Sequence, residues 1–162
     1  ECIPKETYMK SALEQFNKSG RQIDSSAISL AYDLFEGHTY YVHNVLHNAF
    51  AYLDTEKPIE ESDILKTIDD ILEDRGHIFA SMMNQLNYQQ KETLIAIAKE
   101  GKASGVTSVA FVKKHSLKSP SSVQYAISTL LDKQLITFEN DNRTKIYSVS
   151  DRFLQKWICS TY

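Results

Sequence analysis

"SPSSVQYAISTLLDKQLI", residues 119–136, decides how the second half of this 162-residue chain is read. Ser119 and Pro120 supply an N-cap and a proline at the first helical position. Val123, Ala126, Ile127, Leu130 and Leu131 recur at helical spacing and form a buried stripe. Beyond it, "LITFE" (135–139) and "KIYSVS" (145–150) alternate as strands do, with "NDNR" (140–143) as the turn between them. Before it, "QQKETLIAIAKEG" (89–101) is a helix ending at a glycine. "VTSVAFVKKHSL" (106–117) begins with a short extended piece and continues as a short helix. A last helix starts at Asp151 and carries Phe153, Leu154 and Trp157.

Three helices followed by a two- or three-stranded wing is the order of a winged helix, a helix-turn-helix variant. On the face of the 119–136 helix opposite the stripe stand Ser121, Ser122, Gln124, Tyr125, Ser128 and Asp132. Serine, glutamine and tyrosine can hydrogen-bond bases or phosphates. Yet no Arg or Lys lies between Lys118 and Lys133, and Asp132 repels phosphate. DNA affinity depends largely on counterions released by phosphate-neutralising Lys and Arg. The positive candidates lie around the helix: Lys113, Lys114, Lys118, Arg143 and Lys145. Together they support weak, salt-sensitive DNA contact or a protein-docking face.

The first half is helical throughout. Helices are expected over about 5–18 (Met9, Ala12, Leu13, Phe16), 25–36 (Ala27, Ile28, Ala31, Leu34, Phe35) and 39–53 (Val42, Val45, Leu46, Ala49, Phe50, Leu53). "DTEKPIEES" reads as a linker. A long fourth helix capped by Ser62 then runs to Leu86, with Gly76 marking a bend. The fold class is mainly α: a small helical bundle over 1–86 and a winged helix over 87–162. Charge divides the chain the same way. Residues 1–86 hold 7 Lys+Arg against 15 Asp+Glu; residues 87–162 hold 11 against 6. An acidic half beside a basic half implies two modules with different partners.

Composition excludes several classes. An apolar fraction of 42% and a charged fraction of 24% are ordinary for a globular protein. No stretch has the roughly 18 consecutive apolar residues of a membrane span, so no membrane partner is expected and the protein is read as cytoplasmic. Cys2 and Cys159 form neither a disulfide framework nor a zinc half-site. "ECIPKETYM" at the start reads like mid-chain text, and a longer parent is expected. The five glycines stand at 20, 37, 76, 101 and 105. No pair has the spacing of Gly-x-x-x-x-Gly-Lys-Ser/Thr, so this chain has no P-loop. "HNVLH" puts His43 and His47 one helical turn apart, a spacing that can bind zinc. The metalloprotease form needs Glu after the first His, where Asn44 stands. His38 or Glu36 could add a third ligand, but nothing requires it. Surface histidines, no metal and no catalytic residues are therefore expected.

Four stretches carry a resemblance to the C-terminal part of prokaryotic P-loop ATPases of the AAA and STAND type. "LNYQQKETLIAIAKEG" (86–101), "LKSPSSVQYAISTLLDKQLI" (117–136) and "YSVSDRFLQKW" (147–157) look like that family's winged helix. "LFEGHTYYVHNVLHNAF" (34–50) looks like the helical lid that follows its nucleotide-binding core, where Gly-x-Pro-Tyr begins a helix near the nucleotide. Thr39 stands where that family usually has proline. The resemblance implies that Gly37, His38, Thr39 and Tyr40 lie near a nucleotide. It implies that ATP and Mg belong to an upstream core, and that the winged helix relays nucleotide state to a protein or DNA partner. The alternative is a free-standing winged-helix transcription regulator with a helical sensing or dimerising domain.

Overall fold

The computed structural model describes residues 3–53, 56–142 and 144–162. The element order is α1 (Lys5–Lys18), α2 (Ser25–Leu34), α3 (Thr39–Tyr52), α4 (Glu61–Asn84), α5 (Tyr88–Glu100), β1 (Ala103–Ser104), α6 (Val109–Lys114), α7 (Pro120–Asp132), β2 (Ile136–Asp141), β3 (Thr144–Val149) and α8 (Arg152–Thr161). The fold is mainly helical, as expected, with one small antiparallel sheet.

The chain forms two compact units, Glu1–Asp74 and Arg75–Tyr162. The division falls inside α4, upstream of the 86/87 boundary read from charge. The later part of α4 belongs with the second unit because its side chains pack there. The Arg75 guanidinium lies 4.7 Å over the Phe153 ring, and Phe79 meets Trp157 at 5.8 Å. Gly76 does not break the helix, which runs unbroken from Glu61 to Asn84. It gives room to Trp157 instead: a Cβ there would come 3.3 Å from the indole nitrogen.

In the first unit, Ala27, Ile28 and Ala31 of α2 and Val42, Val45, Leu46 and Ala49 of α3 are buried. The expected linker is tied down where it is described. Ile59 is buried and bridges Ile23 in parallel. Its N–H donates to Gln22 O at 3.1 Å, and Asp24 N–H donates to its carbonyl at 3.0 Å. Asp54 and Thr55 of that segment lie outside the described residues. Ser62 does not cap α4, because it sits inside the first turn. The Asp63 carboxylate instead accepts the Glu60 N–H at 2.9 Å.

In the second unit α5 is the central helix. Leu94, Ile95, Ala96, Ile97 and Ala98 are all buried, so the middle of the helix is covered around its whole turn. The sheet order is β1-β3-β2, with Ala103 opposite Tyr147 and Ile136 opposite Val149. The extended piece expected after residue 106 lies earlier, at Ala103–Ser104. The β2–β3 hairpin is the wing. Only its base is buried, at Ile136, Tyr147 and Val149. The strands extend into the expected turn, pairing Asp141 with Thr144. Three strands and this helix order match the expected winged helix.

Candidate functional site

Helix α7 is placed by its own first turn. Ser119 Oγ accepts the Ser122 N–H at 3.2 Å, and Ser122 Oγ accepts the Ser119 N–H at 3.1 Å. This reciprocal capping box fixes where the helix begins. Val123, Ala126, Ile127 and Leu130 are then buried, while Leu131 is only half-buried. Ser121, Gln124, Tyr125, Ser128 and Asp132 are exposed, as the stripe demands. Ser122 differs. Its hydroxyl serves the cap, also donates to Ser119 O at 2.8 Å, and lies 3.4 Å from Gln89 Oε1. It holds the helix start and is not a free reading group.

A groove of about 620 Å³ opens between the starts of α5 and α7. It gathers Lys118, Ser121, Ser122 and Tyr125 with Asn87, Tyr88 and Gln89. Tyr88 and Tyr125 are 71% and 72% exposed, so two rings stand open at one groove. Sequence reasoning missed Tyr88 and Gln89. The available signal was Asn87, which caps α5 by accepting the Gln90 N–H at 3.0 Å and so puts the next two residues at its open start. Gln124 and Ser128 lie on the same helix but outside the groove lining.

The expected cations are not equivalent. Lys113 and Lys118 are exposed. Lys114 is not available in the same way: its Nζ pairs with Glu100 Oε1 at 2.6 Å, and His115 Nε2 meets the same oxygen at 2.8 Å. Those two hydrogen bonds hold the Glu100 carboxyl below the usual carboxylate range. Lys145 lies 4.4 Å over the Phe138 ring on the wing, opposite Asn140. Glu139 and Asp141 are exposed on the neighbouring strand. Arg143 lies outside the described residues. The positive surface around α7 is thus thinner than a count of lysines suggests.

The second candidate stretch begins α3. Gly37 is buried at φ +74°, and a Cβ there would fall 2.6 Å from Tyr32 Oη. Tyr32 Oη in turn donates to Ile3 O at 2.6 Å. Gly37 therefore has a packing reason to be glycine. His38 is the N-cap residue and makes no side-chain cap bond. Thr39 is the first helical residue, so it does not cap the helix in place of a proline. Tyr40 is 67% exposed and meets Tyr41 edge-on at 5.1 Å; Tyr41 stacks on Phe35 at 5.7 Å.

Among the described residues no group of three or more His, Cys, Asp or Glu is placed to hold a metal ion. Nor is any described helix long and apolar enough to cross a membrane. Cys159 keeps its proton: partial burial pushes its thiol up, against the opposing charges of Lys99 and Lys156. Cys2 lies outside the described residues.

No curated protein and no solved structure matches the chain. A family model does match. It is described as "Probable winged helix domain" and covers residues 77–160, just over half of the sequence. It begins close to the boundary between the two compact units. With the capped α7, the three-stranded sheet and the wing in the same stretch, the chain belongs to this winged-helix family.

Proposed function

We propose that the chain is the C-terminal regulatory region of a prokaryotic P-loop ATPase of the AAA/STAND type, a helical lid followed by a winged helix, and that this winged helix contacts a protein partner in preference to DNA. The observation that carries the lid reading is the start of α3. It lacks a side-chain cap, and Gly37 and His38 lead into it. Tyr41 N–H already donates to His38 O at 3.0 Å, so the N–H groups of Thr39 and Tyr40, with the positive end of the helix dipole, are the ones that suit an anion. A nucleotide phosphate fits that chemistry, and Tyr40 adds an exposed ring beside it. In this reading ATP and Mg are held by the upstream core, which supplies the hydrolysis. The residues of this chain orient and sense, and none is catalytic.

The preference for protein rests on charge. Lys114 is paired with Glu100, and Asp132, Glu139 and Asp141 stand near the reading face or on the wing. Two exposed tyrosines at one groove suit a protein interface, where tyrosine is enriched and charge is depleted at the centre. The reading of a free-standing DNA-binding regulator keeps one supporting observation: Ser121, Gln124, Tyr125 and Ser128 are exposed on α7.

The reading frame on the 5′ side of the Glu1 codon tests the parent. A Gly-x-x-x-x-Gly-Lys-Ser/Thr between a strand and a helix is expected there. A start codon directly before Glu1 would remove the nucleotide and leave the regulator. In the intact parent, Tyr40→Ala should change nucleotide affinity; unchanged affinity would take the start of α3 out of the nucleotide's reach.

A further inference from the structure

We infer that His43 and His47 form a chelating pair for a divalent transition-metal ion of the zinc, nickel or copper type. Sequence alone favoured two ordinary surface histidines; the geometry adds three things. The rings are nearly parallel, at 20°, with centroids 6.4 Å apart. With metal–nitrogen bonds of about 2.0–2.1 Å, two imidazoles on one tetrahedral ion have their centroids roughly 5 Å apart. The rings stand farther apart than that, so side-chain rotation must bring them onto an ion, and both side chains are exposed. The helix beneath is anchored by buried Val42, Val45, Leu46 and Ala49, so the two ligands stand on a rigid element.

The third observation is where the pair stands. His43 and His47 both line a cavity of about 390 Å³ between α1 and α3, with Ser11, Gln15 and Ser19 among its polar residues. These neutral oxygens share the cavity with the apolar side chains of Ala12, Phe16, Leu46 and Phe50. Imidazole selects zinc, nickel and copper over magnesium or calcium. Two protein ligands are too few for a closed structural site, so the ion is exchangeable. Asn44 offers no general base, so the role is binding and not hydrolysis. An ion held only by the folded helix stabilises the first unit by linkage.

The test uses the whole chain with Ni²⁺ and Zn²⁺ by calorimetry and with Cu²⁺ as a paramagnetic NMR probe. One equivalent should bind saturably and raise Tm. His43→Asn and His47→Asn should each lower affinity at least about tenfold, and the double variant should abolish binding. His77→Asn and His115→Asn should leave it unchanged; His115 is already engaged by Glu100. Cu²⁺ should broaden the amides of Ser11, Gln15 and Ser19, and acid should weaken binding as protons compete for the imidazoles. Absence of saturable binding, affinity retained in the double variant, or broadening centred on His77 or His115 would each overturn the inference. Both positions are exposed, so circular dichroism of the variants should match the parent chain.

Discussion

Helices of the two units begin in different ways. In the winged-helix unit every helix that starts there is capped by a side chain: Asn87 for α5, Ser108 for α6, Ser119 for α7 and Asp151 for α8. In the first unit Pro4, Asp24 and His38 precede α1, α2 and α3 without a side-chain cap bond, while α4 has the Asp63 carboxylate on the Glu60 N–H at its start. A capped start is set by three or four adjacent residues. An uncapped start is set by what packs around it, and its orphan N–H groups remain for water or a ligand. The starts of α5, α6, α7 and α8 are thus fixed locally, and those of α1, α2 and α3 by their surroundings.

Packing still outweighs capping within the capped unit, and the largest expected effect tests that. Phe153 is fully buried beneath the Arg75 guanidinium, so Phe153→Ala should cost about 3–5 kcal/mol in urea unfolding. A loss no larger than that of a cap would mean the capped unit is held mainly by local bonds. Next, Gly37→Ala should cost about 2 kcal/mol, from the left-handed backbone and the displaced Tyr32 ring. A neutral result would remove the packing account of Gly37. Smaller still, Ser119→Ala should cost about 1 kcal/mol, because it leaves the Ser122 N–H without its acceptor. Asp24→Ala at the start of α2 should cost less, since no cap bond is lost there. Equal losses would erase the contrast between the units.

The smallest expected effect is a pH dependence. Hydrogen bonds from Lys114 and His115 lower the Glu100 pKa in the folded chain. Its contribution to stability is therefore fully present above the ordinary glutamate value of about 4.3 and is lost as pH falls through the lower folded value. Glu100→Gln should flatten the acid limb of the denaturation midpoint against pH and leave its shape near neutrality. An unchanged acid limb would show that the α5–α6 contact carries no net charge coupling.

This contrast also explains what was legible in the sequence. Ser119–Pro120 and Asp151 announce their helices locally, and the starts of α7 and α8 follow from them; Asn87 caps α5 in the same way, and that helix begins one residue ahead of the start read from the sequence. The α7 stripe was readable because period alone decides which side is buried. Pairings between distant residues were not. Glu100 meets Lys114 only after the turn between α5 and α6 has formed, so Lys114 looked like a free cation. Ile59 pairs with Ile23 across two helices, so its segment looked like a loose linker. The resemblance alone put Gly37 near a nucleotide, and the Tyr32 ring that fills its Cβ position is a second reason for glycine that one dimension does not show. At the candidate site, Tyr125 and Lys118 were visible, while Tyr88 and Gln89 needed the third dimension to join them.

The most direct measurement is fluorescence anisotropy of a labelled duplex titrated with the chain, at low salt and again at about 150 mM. Ordinary non-specific protein–DNA binding falls at Kd of roughly 10⁻⁴–10⁻⁶ M at physiological salt. With Lys114 paired to Glu100 and carboxylates beside the reading face, the expected result at 150 mM is no saturable rise within that range. Lys113→Glu and Lys118→Glu should then change nothing. Saturable binding in the micromolar range, with a steep salt slope that those substitutions flatten, would contradict the protein-facing account and make α7 a DNA-reading helix.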